Sequence, residues 1–263
     1  MITTADYLLF EPNAYLQDYY VAIPSENIAM LRFLVKTFQT APPHQRVLDF
    51  GSGPTLFAEI VAAGSAREIH IGEYLPANRA EIQRWLDQAP TRFDWSHYVE
   101  AVLRLEGGQG SPSTIQQREA ITRQRVTRIM PCDARSPQPL HPVDEHYDIL
   151  VSNLCLEAAA RDLADWHCCI QNIASLVKPG GQVMLSAVKG ATSYSVGTQI
   201  FPVVSIHETD ICHALKAANF LPETIHIEWT PADHPIHPYQ GMVFATAIKS
   251  SHPERNVSIQ SAT

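Results

Sequence analysis

The sequence has no surplus of positive charge. Its 19 lysines and arginines are outnumbered by 27 aspartates and glutamates, for a formal net charge of -8. Such a chain has no reserve of cations with which to displace counterions from a polyanion, so nucleic acid is not an expected partner. It also lacks an apolar run as long as a membrane span, and residues 1 to 20 contain no basic stretch leading into an apolar one. No membrane association or export is expected, and the chain reads as cytoplasmic. Its five cysteines, Cys132, Cys155, Cys168, Cys169 and Cys212, include no CxxC pair, and the adjacent Cys168 and Cys169 are awkward disulfide partners. Buried, reduced, structural thiols are expected. No His or Cys pair forms a recognised metal motif, since HPIHP (His234, His237) offers two ligands at best, so no metal is expected.

With 45% hydrophobic residues in 263, the chain has enough apolar material for one sizeable α/β core with additions. In PSENIAMLRFLVKTF, Ile28, Leu31, Leu34, Val35 and Phe38 share one helical face, with Ser25 as the expected cap. RVLDF then reads as a buried strand entering a glycine loop, and TLFAEIVAAG as a helix that stops at Gly64. A second strand, EIHIGEY, ends at Glu73, and Pro76 opens a helix carrying Ile82, Trp85 and Leu86. Residues 90–128 break this rhythm and read as an excursive, partly mobile insertion. Beyond it come a strand near MPCDA, the apolar and therefore central strand YDILVSNLCLE, and a helix from Leu163 closed by KPGG. QVMLSAV is the next strand, and after a further helix ETIHIEWT and GMVFATAIK form an antiparallel pair, the connection being too short for a parallel return. The expected organisation is a cap of N-terminal helices over residues 1–45, a core over 46–250 and a flexible tail over 251–263.

The loop itself, VLDFGSGPT, narrows the ligand. A dinucleotide fingerprint needs a third glycine for close helix packing, and Leu56 stands there instead. A Walker A loop is excluded because no Gly-Lys-Ser/Thr follows. What remains is a loop that lets backbone approach a ligand, with Glu73 twenty residues beyond Gly53. A carboxylate at that place can accept from both hydroxyls of a free ribose diol. S-adenosylmethionine (SAM) has such a diol and no phosphate, and together with LVKPGG and the terminal hairpin the pattern resembles the class I SAM-dependent methyltransferases. The expected fold is therefore α/β, Rossmann-like, with a mostly parallel seven-stranded sheet ending in an antiparallel hairpin. NAD-dependent oxidoreduction remains a rival reading, which binding of NAD rather than SAM would favour.

FEPNAYLQDYY, GSGPT, RWLDQAPTRFDW, LEG, PCDA, SNLCLEAAARDL, NIASLVKPGG and GTQIF resemble the family of nicotinamide, phenylethanolamine, indolethylamine and thioether methyltransferases across nearly the whole chain. That resemblance implies that Tyr15 and Tyr20 close over the cofactor, that Gly51, Ser52 and Gly53 pass beneath its methionine part, and that Glu73 holds its ribose. It further implies Asn78 nearby, Asp133 and Ala134 flanking the adenine, and Thr55, Tyr74 and Asn153 within the cofactor site. Phe57 stands where the family has a tyrosine, so any hydroxyl contact from that position is lost.

An amine acceptor must be neutral to attack, so a carboxylate that binds the ammonium and takes its proton serves the reaction. Glu157, at the end of the central strand, is the candidate, matching a glutamate of the phenylethanolamine branch, with Tyr15 beside it as a second catalytic candidate. Leu154, Ser186, Lys189 and Tyr194 are expected to line the acceptor pocket. Ser186 replaces an acidic residue of the nicotinamide branch, and the last hairpin offers His234, His237 and Tyr239 where the phenylethanolamine branch has an acid. The expected activity is N-methylation of a small aromatic or alkyl amine by a monomer or weak homo-oligomer. A catalytically impaired SAM-binding regulator, or transfer to sulfur or carbon, stays open at this point.

Overall fold

Short apolar strands and amphipathic helices assemble as the patterning requires in the computed structural model, which describes residues 6–140, 142, 145–233 and 238–251. A 3-10 turn (Asp6–Leu9), α1 (Pro12–Tyr19) and α2 (Ser25–Thr40) precede β1 (Arg46–Phe50), α3 (Phe57–Ala62), β2 (Glu68–Gly72) and α4 (Pro76–Leu86). Then come α5 (Ser96–Leu105), α6 (Pro112–Arg125), β3 (Val126–Met130), β4 (Tyr147–Asn153), α7 (Leu156–Ala159), α8 (Leu163–Ala174) and β5 (Val177–Lys189). The hairpin β6 (Ser193–Val196) and β7 (Gln199–Pro202), α9 (Glu208–Ala217), β8 (His226–Pro231) and β9 (Gly241–Ile248) complete the order.

The main sheet has seven strands in the order β3-β2-β1-β4-β5-β9-β8. The first five pair in parallel, and β9 runs antiparallel to both β5 and β8. Side chains alternate between two apolar layers, as strand geometry demands. Val47, Ile149 and Val151 join the layer that includes α2, α3 and α5, while Leu48, Phe50 and Leu150 join the layer of α8 and α9. The strands buried on both faces therefore read as continuous apolar runs. No helix among the described residues is long and apolar enough to cross a membrane.

Several local expectations need correction. Ser25 is the first residue of α2 rather than its cap, which is Pro24; the Ser25 amide donates to Asp233 Oδ2 at 3.1 Å, so no side-chain cap is needed. The KPGG segment lies within β5 instead of closing α8, which ends at Ala174. Cys132 and Cys169 are buried as expected, but Cys155 and Cys212 are half-buried and Cys168 is exposed; neighbours in a helix point about 100° apart, so Cys168 and Cys169 cannot share a face. The hairpin β6–β7 was not expected, its strands being only four residues each.

The segment 90–128 is not excursive. Trp95, Tyr98, Val99 and Val102 are fully buried against α2 and α3. The polar α6 is bound through charge: Arg118 donates to Glu106 and to the Ile60 carbonyl at 3.0 Å, and Arg125 donates to the Ala63 carbonyl at 2.5 Å. A helix without an apolar stripe is stable when such bonds replace burial. The expected tail beyond Ser251 lies outside the described residues.

Asp49 of β1 and Glu59 of α3 form a buried carboxyl pair, 3% and 1% exposed. Read as two anions, Asp49 Oδ1 and both Glu59 oxygens would lack partners. Burial, then mutual charge, pushes Glu59 well up, and burial raises Asp49, so the pair retains a proton that supplies the missing donor. Because both folded-state values lie above the unfolded ones, the native state binds more protons, and stability falls as pH rises above the ordinary carboxylate range. Glu59→Gln should flatten that slope. Thermal unfolding should show wild type and variant close at pH 5, and the variant about 2–4 °C more stable at pH 8 for each kcal/mol relieved; a variant no more stable at pH 8 than wild type contradicts the shared proton.

Candidate functional site

The chain builds β2 and β3 outward on one side of β1 and then returns to lay β4 on the other. Loops leaving the carboxyl ends of β1 and β4 therefore diverge, and a crevice opens between them. Residues 51–55 leave β1 there and residues 153–157 leave β4. Between them and α1 lies a cavity of about 780 Å³, near the upper end of the ~300–1,000 Å³ typical of ligand pockets.

The glycine loop is fixed from two sides. Gly51 has φ +75°, and a Cβ on it would fall 2.0 Å from the Cys155 sulfur, so the loops after β1 and β4 touch at this point. Gly53 has φ +63°, yet a Cβ there would meet nothing within 4 Å, because the space beyond it is cavity. Only glycine takes that conformation cheaply. The Gly53 amide donates to Glu73 Oε2 at 2.9 Å, while the Leu75 amide and the Asn78 side chain donate to Oε1 at 2.8 and 3.0 Å. Burial raises the Glu73 pKa, and these donors only partly reverse the rise. Three of its roughly four lone-pair positions are filled by the protein. Ser52 and Thr55 close the loop on itself through the Thr55 hydroxyl, 2.7 Å from the Ser52 carbonyl.

At the end of β4, Leu154 has φ +53°, a region that a bulky residue rarely occupies, and its amide is held by the Ser186 carbonyl at 2.9 Å. Asn153 Oδ1 accepts from the Ser186 hydroxyl at 2.8 Å. Its Nδ2 is left without a protein partner, as is the buried Asn78 Oδ1 across the crevice. Glu157, in the first turn of α7, is 2% exposed and accepts from the Val188 amide at 3.1 Å. Burial pushes its carboxyl up to about 7, against the two backbone donors that lower it.

An aromatic wall roofs the cavity. The Tyr15 and Tyr20 hydroxyls are 3.4 Å apart, and Tyr15 interacts electrostatically with both Glu157 and Glu73. Burial pushes Tyr15 up to about 12 and Tyr20 well up, so both stay neutral donors. Tyr20 stacks on Phe57 at 6.0 Å and packs against Trp95 and Tyr98, while the His97 ring donates to its carbonyl at 2.8 Å. Phe57 is thus both core and cavity wall. Tyr194 of β6 stacks on Phe201 and meets Tyr15 edge-on at 6.5 Å.

The cavity brings together Tyr15, Tyr20, Gly51, Ser52, Gly53, Thr55, Phe57, Glu73, Tyr74 and Asn78 from the first half of the chain. From the second half it gathers Asp133, Ala134, Asn153, Leu154, Glu157 and Tyr194. Two expected residues do not line it. Ser186 is buried behind Asn153, whose orientation it sets. Lys189 is drawn away by Glu208, 2.6 Å from its Nζ, and by the Trp229 ring at 4.0 Å. His234 and His237 lie outside the described residues. The lining also includes Tyr7, Tyr19, Glu26, Cys155, Asp233 and Tyr239. Glu26 had a visible signal, since it sits one helical turn before the core residue Met30 and so on an inward face.

A model of the NNMT/PNMT/TEMT family matches residues 1–250. Phenylethanolamine N-methyltransferase of Homo sapiens is 33% identical over 92% of this chain and 90% of its own length. Indolethylamine N-methyltransferase of Oryctolagus cuniculus is 30% identical over 91% and 93%, and nicotinamide N-methyltransferase of Homo sapiens 31% identical over 84% and 83%. In fold, the chain is similar to DhpI in its SAH complex (TM-score 0.54, 14% identity, covering 95% of this chain and 100% of the other). It is likewise similar to magnesium protoporphyrin IX methyltransferase from Synechocystis with bound SAH (TM-score 0.54, 14% identity, 90% and 94%). With the seven-stranded sheet, the cavity at its switch point and a family match along nearly the full chain, this protein belongs to the NNMT/PNMT/TEMT family of SAM-dependent methyltransferases.

Proposed function

We propose that the chain transfers a methyl group from SAM to the nitrogen of a small aromatic or alkyl amine, with Glu157 binding the acceptor and taking its proton. The observation behind this is that one cavity joins the glycine loop gripped by Glu73 to a buried carboxyl held near neutrality at Glu157. The site's chemistry fits the cofactor. Glu73 Oε2, which accepts from the Gly53 amide alone, retains one acceptor position for a ribose hydroxyl, and the space over Gly53 admits a ligand close to the backbone. The orphaned Asn153 Nδ2 and Asn78 Oδ1 offer a donor and an acceptor. In this reading Tyr15 and Tyr20 hold the amino-acid end, Asp133 and Ala134 flank the adenine, and residues 1–45 act as the cap.

SAM supplies an electrophilic methyl on a sulfonium, so the chain's own task is positioning, desolvation and proton removal. An ionised Glu157 attracts the ammonium form of the acceptor and accepts its proton, which leaves a neutral carboxyl beside the free amine that attacks the methyl. Tyr15 and Tyr194 exclude water and supply π faces for a cationic or aromatic acceptor.

The sign of the pH dependence follows from the raised carboxyl. Glu157 is neutral below about 7 and ionised above it, so kcat should rise as pH increases through that value. Glu157→Gln should lower kcat by about 10²–10⁴-fold and remove that rise, while SAM affinity stays within about threefold of wild type. Labelled SAM with a panel of amines, thioethers and indoles reads this out; SAM binding with no transfer across the panel would count decisively against catalysis. Glu73→Gln places an amide where three protein donors converge, and isothermal titration should show SAM binding weakened about 10–100-fold. Unchanged SAM affinity in that variant would remove Glu73 from the cofactor site.

A further inference from the structure

Glu157 lines two cavities. Besides the large one it borders a second, of about 10 Å³, within the apolar layer of α8 and α9. That is room for about one water molecule. Sequence spacing builds its walls. Trp166, Ile170 and Ile173 recur at helical spacing on the buried face of α8, and Ser152, two residues after Leu150, belongs to the same face of β4. Trp166, Ile170 and Ser152 all line the small cavity, with Leu185 and Ile211 as further apolar wall.

Apolar walls alone would leave such a space dry, but three polar groups border it. Trp166 is 2% exposed, and its indole N–H has no partner among the described residues. A buried donor left unpaired is costly, and native proteins satisfy almost all such groups with protein or ordered water. Ser152 donates its hydroxyl proton to the Phe50 carbonyl at 2.8 Å, so its oxygen can still accept. Glu157 receives the Val188 amide on Oε1 at 3.1 Å, and a carboxylate has lone pairs for more than one such bond. One donor and two acceptors thus surround a space the size of one water, whose usual three hydrogen bonds they match.

We propose that this cavity holds one water molecule, which accepts from the Trp166 indole N–H and donates to the Glu157 carboxylate and to the Ser152 hydroxyl oxygen. The proposal rests on the reading of Glu157 as the group that takes the acceptor's proton. Trp166 is then a positioning residue, which touches no substrate and acts on the carboxylate through the water. An indole N–H donates and cannot accept, so it turns both protons of the water away from the ring. A hydrogen bond donated to the carboxylate favours its ionised form and opposes the effect of burial. The titratable groups that also feel the charge of Glu157 are Tyr15 of α1 and Cys155 of the turn before α7, and burial raises the pKa of both.

The test uses NMR on the full chain with its glutamate carboxyl carbons and indole nitrogens isotopically labelled. In wild type the Trp166 N–H, assigned by through-bond correlation, should show a cross-relaxation contact with a long-lived water. It should also shift along the same titration curve as the Glu157 carboxyl, which is identified by its loss in Glu157→Gln. In that variant the indole should keep its water and lose the titration. Trp166→Phe keeps a ring and removes the donor, and should move the Glu157 midpoint up by about one pH unit, with S-adenosylhomocysteine binding and thermal unfolding as checks of the fold. An indole without a water contact, an indole indifferent to pH in wild type, or a Glu157 midpoint unmoved in Trp166→Phe overturns the proposal; where that variant fails to fold, the wild-type indole decides alone. The proposed function fails separately: a kcat profile that does not follow the Glu157 midpoint removes Glu157 as the proton acceptor and leaves the water bridge standing.

Discussion

The carboxylate of Glu73 ties together the parts on which the site depends. It stands just beyond the end of β2 and reaches sideways to the amide of Gly53, which leaves β1, and forward to the first residues leading into α4. One of the three donors on this buried carboxylate, the Gly53 amide, ties the glycine loop to the start of α4. The loop in turn contacts Cys155, so the position of the β4 connection and of Glu157 is linked to the same anchor. A buried anion is tolerable only when its lone pairs are satisfied, and here its satisfaction organises the crevice.

The roof depends on a second constraint, the burial of Tyr20. Its ring is enclosed by Phe57 from the core and by Trp95 and Tyr98 from the segment after α4, and its carbonyl is held by His97. Asn27 adds a bond from α2 to the Tyr98 hydroxyl at 2.8 Å. The segment that interrupts the strand and helix alternation is therefore the wall against which the N-terminal helices are seated. The ring of Phe57 supplies a stacking surface for Tyr20.

The elements legible in the sequence were those determined by local chemistry. The strand, the two glycines with positive φ and the acid at the end of the next strand announce themselves through residue type and spacing, and all of them converge in the cavity. Ser186 and Lys189 were misplaced because a strand's end does not reveal which way its side chains are recruited. Ser186 turns to Asn153, and Lys189 turns to Glu208 and Trp229, partners that lie 33, 19 and 40 residues away in sequence. The packing of Trp95 and Tyr98 was hidden for the same reason, since their partners are in α1, α2 and α3. Glu26 needed the hairpin loop after β8 to come alongside α2, a contact across 213 residues.

The carboxyls of this protein illustrate how environment divides one functional group into distinct roles. Glu73 is buried but met by three donors, which partly reverse the rise that burial causes. Asp49 and Glu59 have little but each other, and the proton they keep makes them structural. Glu157 lies between these cases: fully buried, with backbone donors alone, it is pushed up to about 7 and can change state near neutral pH. More donors would lower its pKa toward the ordinary carboxylate range, and fewer would raise it further. The placement of Glu157 in the first turn of α7, close to one amide of β5 and no basic side chain that lowers its pKa, is therefore what lets its carboxyl change state near neutral pH.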